Sequence, residues 1–170
     1  GKVGLTLAEL LSAEHHDVVL VDESGQKLKS IPESLDALRV PGNGASIATL
    51  REAGVETADI LICVTGTDEV NLLCCLIAKK ISKCHTIARV RNPIYNQEIE
   101  FIKEKFGISM IINPELTAAG EISRLLRFPS AIKIDTFAKG RVELLKFRIR
   151  PEFKLNDMPV FQLGKTYSNV

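Results

Sequence analysis

The first four residues, Gly1-Lys2-Val3-Gly4, have the residue types of a turn that binds phosphate. Followed by an apolar helical stripe, they match the last two glycines of the dinucleotide-binding sequence G-x-G-x-x-G. There the middle glycine lets the backbone approach a pyrophosphate, the last lets the helix pack closely on the sheet, and the helix N-terminus offers unpaired N–H groups. Two glycines three residues apart also occur in ordinary turns, so the motif alone leaves both interpretations open.

A carboxylate at the end of the next apolar segment favours the nucleotide interpretation. Asp22 directly follows residues 18–21, four apolar residues that predict a strand buried on both faces. It lies about 20 residues after Gly1, where a dinucleotide fold places the acid that accepts hydrogen bonds from ribose hydroxyls. A carboxylate there repels a 2′-phosphate, which argues for NAD or adenosine ligands over NADP. The alternative is an exposed strand-end carboxylate.

Two further loops follow predicted strands and consist of small and polar residues. In residues 42–46, the amide of Asn43 could meet an adenine edge, with Gly44 and Ala45 beside it. The run Thr65-Gly66-Thr67-Asp68 offers backbone N–H groups. Ligands of open α/β sheets bind at the carboxyl ends of strands, so the shared position of these loops favours a binding role. Small residues are also what ordinary turns contain.

Two arginines end a later strand, in the stretch Ala88-Arg89-Val90-Arg91. Alternate residues of a strand face the same way, so Arg89 and Arg91 are expected on one face. There they could clamp a phosphate or a partner's carboxylate. A solvated strand end is the equally open alternative.

The sequence predicts neither a catalytic nor a metal site. Its cysteines and histidines are Cys63, Cys74, Cys75, Cys84, His15, His16 and His85. None of the cysteines forms a C-x-x-C pair, and no Cys–His or Ser–His spacing is recognisable. Cys74 and Cys75 lie in an apolar run and are expected to be small buried hydrophobes, which suits a reducing cytoplasm. No strand-end His or Lys suggests hydride transfer.

Composition excludes several classes of protein. The chain has 170 residues, of which 45% are hydrophobic and 25% charged, as in globular proteins. With 22 basic and 21 acidic residues, the net charge of +1 gives no field to attract nucleic acid. No apolar stretch approaches the ~18 residues that span a bilayer. Because the sequence lacks an initiator Met, we expect that residues precede Gly1 in the natural protein.

Short apolar runs alternate with helical periodicity as far as about Arg127. Strands are predicted at 18–21, 36–40, 60–64, 86–90 and 109–112, and helices at 3–13, 24–31, 46–53, 68–81, 93–106 and 114–126. In the fourth helix the buried face is assigned to Val70, Leu73, Leu76, Ile77 and Ile81. Strands separated by helices of this length pair in parallel through right-handed crossovers. The predicted fold is a doubly wound, Rossmann-like α/β sheet whose first strand is missing from this chain.

After Phe128 the pattern changes. Residues 131–135 and 142–149 alternate between apolar and polar types, with Gly140 and Arg141 between them. No helix separates these segments, so they are antiparallel strands or a linker into a second unit. We therefore expect a nucleotide-binding domain over residues 1–128 and a linker with a partial β-rich subdomain over 129–170.

These segments together resemble the TrkA family of peripheral potassium-uptake proteins and, more broadly, the domains that regulate conductance of K⁺ (RCK, or KTN, domains). The strings that carry the resemblance are Gly1-Lys2-Val3-Gly4, the strand ending in Asp22, VTGTDEVN at 64–71, IARVRNP at 87–93 and INPE at 112–115. FAKGRVEL at 137–144 is similar to the start of the family's C-terminal subdomain. The likeness covers nearly the whole chain.

The resemblance implies a cytoplasmic regulatory subunit of a bacterial potassium uptake system. Such subunits form dimers or larger rings under a membrane-embedded, TrkH-like K⁺ transporter at the inner membrane. They bind NAD(H) or ATP/ADP and gate transport without catalysis. The family's ligand positions correspond to Gly1, Lys2, Val3 and Gly4 at the phosphates, Asp22 at the ribose, Asn43, Gly44 and Ala45 near the adenine, and Thr65, Gly66 and Asp68 on the opposite wall.

The sequence departs from the family at two places. Asn43 stands where the family usually has Asp, and the first strand with the first glycine is absent. Two alternatives stay open: an NAD-dependent oxidoreductase fragment, and the cytoplasmic RCK domain of a K⁺ channel or antiporter. The last helix carries a stripe of apolar residues: Leu116, Ala119, Ile122, Leu125 and Leu126. It packs either on its own sheet or, as the resemblance favours, on a second subunit.

Overall fold

The computed structural model describes residues 1–95, 97–138, 141–149, 152, 158–159 and 161–162. It consists of two compact units, Gly1–Leu116 and Thr117–Val170. The predicted boundary near Phe128 stays a prediction. No helix among the described residues is long and apolar enough to cross a membrane.

The first unit alternates helices and strands, as the periodicity predicts. Its elements in chain order are α1 Lys2–Ala13, β1 Val19–Asp22, α2 Gly25–Lys29, β2 Leu38–Pro41, α3 Ile47–Glu52, β3 Ile60–Cys63, α4 Asp68–Ile81, β4 His85–Arg89, α5 Ile99–Phe106 and β5 Met110–Ile112. Helix α6, Pro114–Arg127, begins in this unit and ends in the second.

All pairings between these strands are parallel, which confirms the predicted α/β class. β1 pairs with β2, so that Asp22 lies opposite Pro41. β4 lies between β3 and β5, with Ala88 opposite both Cys63 and Ile111. Within the described residues, β1 and β3 do not pair with each other. Because parallel strands end at the same edge, the segments after β1 and β2 meet there, as do those after β3, β4 and β5.

Local capping explains where several helices begin and end. The hydroxyls of Ser24 and Ser46 accept hydrogen bonds from the backbone N–H of Lys27 and Thr49, each at 3.4 Å, at the starts of α2 and α3. Gly107 follows α5 with φ 66°, the left-handed conformation that ends many helices. The predicted cap at Ser46 is confirmed.

The single helix predicted over 93–106 is wrong. A short 3-10 helix, Pro93–Tyr95, comes first, and α5 begins only at Ile99. The side-chain oxygen of Asn92 accepts the backbone N–H of Ile94 at 3.1 Å, which makes a local turn. Such side-chain bonds compete with helical backbone bonds and delay the helix.

The predicted buried face of α4 is only partly right, because Val70, Ile77 and Ile81 pack against the core but Leu73 does not. Leu73 is 45% exposed, whereas the buried residues of this helix are Asp68, Asn71, Leu72, Cys74, Cys75 and Ala78. Two polar side chains therefore occupy the core face. They are stable there because each finds hydrogen-bond partners in neighbouring loops, as the site below shows.

The core of the first unit lies between α4 and the three-stranded sheet. Cys63, Cys74, Cys75 and Cys84 are all buried and free, which confirms that Cys74 and Cys75 act as small hydrophobes. The sulfur atoms of Cys63 and Cys75 are 3.5 Å apart. Hydrogen bonds with Cys74 and Cys75, together with burial, raise the pKa of the Cys63 thiol and keep it protonated.

In the second unit, β6 Ala131–Phe137 and β7 Val142–Phe147 form an antiparallel pair. The alternating segments after Phe128 are therefore antiparallel strands, the first of the two predicted alternatives. The connection between them includes Ala138, with φ 52°. Gly140, expected in this turn, lies outside the described residues, as does Lys139 of the FAKGRVEL string.

Candidate functional site

The structure brings the glycine turn and the strand-end carboxylate together. Gly1 is the residue before α1, and its nitrogen lies 3.5 Å from Oδ2 of Asp22. The other carboxylate oxygen of Asp22 accepts the backbone N–H of Ser24 at 2.9 Å, which fixes the side chain at the end of β1. The Asp22 side chain remains 23% exposed. A partly exposed carboxylate is thus held beside the N-terminus of α1.

Two glycines allow α1 and the 42–46 loop to pack closely against neighbouring segments. A Cβ atom on Gly4 would lie 3.3 Å from Cγ2 of Val64, so α1 packs tightly against the chain just after β3. A Cβ atom on Gly44 would lie 3.2 Å from the sulfur of Cys74 in α4. Larger residues at either position would push the helix or the loop outward. The glycine turn and the 42–46 loop therefore both lie against the β3–α4 segment.

The loop after β2 has a fixed side-chain geometry. The backbone N–H of Gly42 donates to the carbonyl of Asp22 at 3.0 Å, which ties the loop to β1. The side-chain oxygen of Asn43 accepts the N–H of Ala45 at 2.7 Å. Because a backbone N–H can only donate, the atom that faces it is the amide oxygen. Exposed Asn43 therefore presents its NH₂ group, a donor, to the surroundings.

A buried asparagine, Asn71, fixes the loop after β3 through hydrogen bonds. The backbone N–H of Thr65 donates to Oδ1 of Asn71 at 2.7 Å, and Nδ2 of Asn71 donates to the carbonyl of Arg89 at 2.8 Å. Asn71 is fully buried, so both contacts are shielded from water. Its amide thus joins the ends of β3 and β4, while Thr65 and Gly66 stay exposed.

Asp68 is predicted to line the nucleotide site with Thr65 and Gly66, but its carboxylate contacts the loop after β4 instead. It is only 5% exposed, and Oδ2 accepts the backbone N–H groups of Arg91 at 2.8 Å and Asn92 at 2.7 Å. Its other oxygen lies 3.4 Å from Nε of Arg91. The carboxylate is directed at the loop after β4 and holds that loop in position.

The ionisation of Asp68 follows from these contacts. Burial alone would raise the pKa of the carboxyl, but the backbone N–H groups of Asn92 and Arg91 and the Arg91 guanidinium outweigh it. The pKa of Asp68 is therefore lower than the ordinary value. The group is a charged, satisfied anchor at neutral pH.

The two arginines after β4 do not form a common clamp. Arg89, whose side chain is 15% exposed, donates from Nη2 to Oε1 of Glu115 at the start of α6. Arg91 donates from Nη2 to the carbonyl of Gly66 at 2.5 Å and pairs with Asp68. Each arginine has its own carboxylate partner within the chain, so the predicted shared clamp is not formed.

The start of α6 belongs to the same polar network. The side chain of Asn113 donates to the carbonyl of Arg91 at 3.2 Å and accepts the N–H of Leu116 at 3.0 Å, as a cap of the helix. The N–H of Glu115 itself and the Arg89 guanidinium lower the pKa of the Glu115 carboxyl. Asn71 and Asn113 are absent from the predicted site. Asn71 could be noticed in the sequence as the one amide within the apolar run 70–78, and Asn113 as an amide directly before the proline that starts α6.

Metal binding has no support in this part of the molecule. Among the described residues, no group of three or more His, Cys, Asp or Glu side chains is placed to hold a metal ion. The three histidines lie away from the edge where Asp22 lies: His85 begins β4, and His15 and His16 follow α1.

Parallel strands, a glycine turn into α1 and a strand-end carboxylate beside it define a Rossmann-type nucleotide-binding domain. Residues 1–114 match the family model of the TrkA-N domain, and the chain belongs to this family. The resemblance seen in the sequence is thereby confirmed.

The names of similar proteins agree with this family assignment. The chain is 39% identical over 150 residues to the Trk system potassium uptake protein TrkA homolog of Methanothermobacter thermautotrophicus, covering 88% of this chain and 68% of the relative. It is 37% identical over 163 residues to the TrkA homolog of Archaeoglobus fulgidus, covering 96% of this chain but only 37% of that protein. The chain therefore spans about a third to two thirds of the length of these relatives.

Solved structures show the same fold. The TrkA-N domain of the inner membrane protein YbaL from Escherichia coli has a TM-score of 0.65 at 25% identity, covering 74% of this chain and 90% of that one. The GsuK RCK domain has a TM-score of 0.61 at 21% identity, covering 81% and 29%. The GsuK channel bound to NAD has a TM-score of 0.54 at 20% identity, covering 77% and 22%.

Proposed function

We propose that this chain is the nucleotide-sensing module of a potassium uptake system, which binds NAD(H) or ATP/ADP and gates a membrane K⁺ transporter from the cytoplasmic side. The observation that carries the proposal is the position of the Asp22 carboxylate at the carboxyl end of β1, beside the glycine turn that starts α1. The names of the TrkA relatives support the link to potassium uptake. GsuK structures bound to NAD and to ADP support the choice of ligands.

The residues present fit an adenine nucleotide. A Cβ atom on Gly66 would meet nothing within 4 Å, so the space above this glycine is open to a ligand. Phosphates would lie at Gly1-Lys2-Val3-Gly4 and the N-terminus of α1, where N–H groups are unpaired. Asp22 would hold the ribose, and the NH₂ group of Asn43 would face the base, with Thr65 and Gly66 on the opposite side.

Replacing Asp22 by Ala should weaken binding of adenine nucleotides by about 1.5–3 kcal/mol, because a charged acceptor of ribose hydroxyls is lost. Isothermal titration calorimetry with NAD⁺, NADH, ADP and ATP would measure the loss and rank the four ligands. Asp17→Ala is the matched control, because Asp17 is exposed and precedes β1 at its opposite end. Equal affinities in the wild type and Asp22→Ala would remove Asp22 from the site.

Nucleotide binding is proposed to be regulatory, and the alternative is an oxidoreductase. With no histidine at the carboxyl edge of β1 to β5, the described site lacks the proton donor that hydride transfer to a carbonyl commonly uses. We expect the purified protein to bind NADH without oxidising it in the presence of simple aldehydes, ketones or 2-oxo acids. A steady, substrate-dependent fall in NADH absorbance would favour the enzyme.

Assembly with a second copy is proposed from the apolar stripe of α6. Its side chains are exposed: Leu116 by 58%, Ile122 by 58%, Leu125 by 61% and Leu126 by 76%. An exposed stripe of this kind marks a protein interface, and a homo-oligomer with a two-fold axis would cover two such stripes at once. The proposed outer partner is the membrane K⁺ transporter subunit, TrkH-like in type.

The purified protein should therefore be a dimer or larger in light scattering at micromolar concentration. Leu126→Glu is expected to shift the mass toward the monomer, because it places a charge in the stripe that the proposed dimer would bury. Leu10→Glu on α1 is the control, since Leu10 is exposed to a similar extent, 60%. A monomeric wild type would contradict both the dimer and a gating assembly built from it.

A further inference from the structure

Helix α6 has a second, polar stripe beside its apolar one. Gly120, Ser123, Arg124 and Arg127 are spaced at i, i+3, i+4 and i+7, so they lie on one side of the helix. In the second unit they line a cavity of about 420 Å³ together with Arg141 and Glu143. The proposed function uses none of these side chains.

The lining of this cavity is positively charged. Three guanidinium groups face one carboxylate, Glu143, and Glu121 adds a second carboxylate beside them. Arg124 contacts Oε1 of Glu121 through Nη1 at 2.6 Å, and Arg127 approaches Oε2 of Glu143 through Nη1 at 3.4 Å. Even with both acids counted, one positive charge remains.

Arg141 accounts for that excess. Its Nε donates to the carbonyl of Ala138 at 3.2 Å, and no carboxylate pairs with it among the described residues. Each guanidinium carries five N–H donors, and the contacts above use one nitrogen of each arginine. Within the described part of the chain, donor groups therefore reach the cavity from α6 and from the turn before β7, and they outnumber the acceptors.

We propose that this cavity binds an anion with two or more phosphate groups. Planar guanidinium groups bind phosphate oxygens through paired N–H donors, and Ser123 adds a hydroxyl donor. Gly120 lines the cavity without a side chain, and a Cβ atom there would lie 4.0 Å from Nη2 of Arg124. Surface ion pairs with Glu121 and Glu143 contribute little stability, so an incoming phosphate can replace them. The proposal does not depend on nucleotide binding in the first unit.

The test is a calorimetric titration of the purified protein with pyrophosphate. Arg141→Gln and Arg124→Gln should each raise the Kd about tenfold or more, whereas Arg148→Gln, an exposed arginine of the same unit that does not line the cavity, should leave it nearly unchanged. Arg141 is itself exposed, so a thermal melt should show that its variant folds like the wild type. Wild-type Kd values in both variants, or no binding at millimolar pyrophosphate, would overturn the proposal.

A second arm identifies the source of the phosphate. If ADP at saturation leaves the pyrophosphate affinity unchanged, the ligand is a free polyphosphate. If ADP shows a second binding event that Arg141→Gln removes, the ligand is a nucleotide phosphate. Asp22→Ala should alter neither result at this cavity, which separates failure here from failure of the nucleotide site in the first unit.

Discussion

Asp68→Ala is expected to lower the free energy of unfolding by about 2–4 kcal/mol, because it leaves two backbone N–H groups without their acceptor. Those groups belong to Arg91 and Asn92, and the carboxylate that accepts both is only 5% exposed. The Arg91 guanidinium loses its counter-charge in the same step. Urea denaturation followed by circular dichroism would measure the loss.

Glu69→Ala is the matched control for this change. Glu69 is the next residue in the first turn of α4, and its carboxylate accepts the hydroxyl of Tyr95 at 2.7 Å in an exposed position. Its removal should cost much less, because water can replace an exposed partner. Equal losses in the two variants would mean that the acidic first turn as such, rather than the buried contacts of Asp68, stabilises the unit.

The contribution of Asp68 should also depend on pH. The folded state lowers the pKa of this carboxyl, so around that pKa the unfolded state binds more protons than the folded one, and stability rises with pH. The contribution is fully present above the unfolded pKa of about 3.9 and is lost as the pH falls through the lower, folded value. The stability difference between the wild type and Asp68→Asn should be constant near neutrality and shrink below about pH 5.

The sequence is sufficient for the fold and for one part of the site. Four-residue apolar runs and helical spacing predict parallel strands, and parallel strands bring their ends together whatever the details of packing. For this reason the spacing of Gly1 and Asp22 is enough to predict that both lie at the same edge of the sheet. That this edge binds a nucleotide stays a prediction. The cap at Ser46 can also be predicted from the sequence, because it depends on residues close in the chain.

The contacts of buried polar groups could not be predicted in the same way. Hydrophobic periodicity assigns Leu73 to the core and leaves Asn71 outside, the reverse of what the structure shows. Whether an amide can be buried depends on partners in other segments, here Thr65 and Arg89. The pairing of Arg89 with Glu115 is of the same kind, since it joins residues that are distant in the chain. Periodicity within one helix contains no information about such partners.

Asn71→Leu tests whether the buried amide stabilises the fold, and it should have the second of the two largest effects on the unfolding free energy. Leucine has a similar size but neither donates nor accepts, so the N–H of Thr65 and the carbonyl of Arg89 both lose their partner. Two unpaired backbone groups at a fully buried position should cost about 2–5 kcal/mol of unfolding free energy. Chemical denaturation of the variant and the wild type would measure it.

Leu73→Ala completes the comparison, because Leu73 lies on the same helix and is 45% exposed. If the buried face is the one that the structure shows, removing this leucine should cost less than about 1 kcal/mol, although hydrophobicity alone ranks it far above Asn71. Asn71→Leu should further weaken nucleotide binding, since Asn71 tethers Thr65 at the proposed site to β4. A variant that is as stable as the wild type and binds nucleotide equally well would show that the loop after β3 is held by other contacts, and the amide of Asn71 would then have no part in the site.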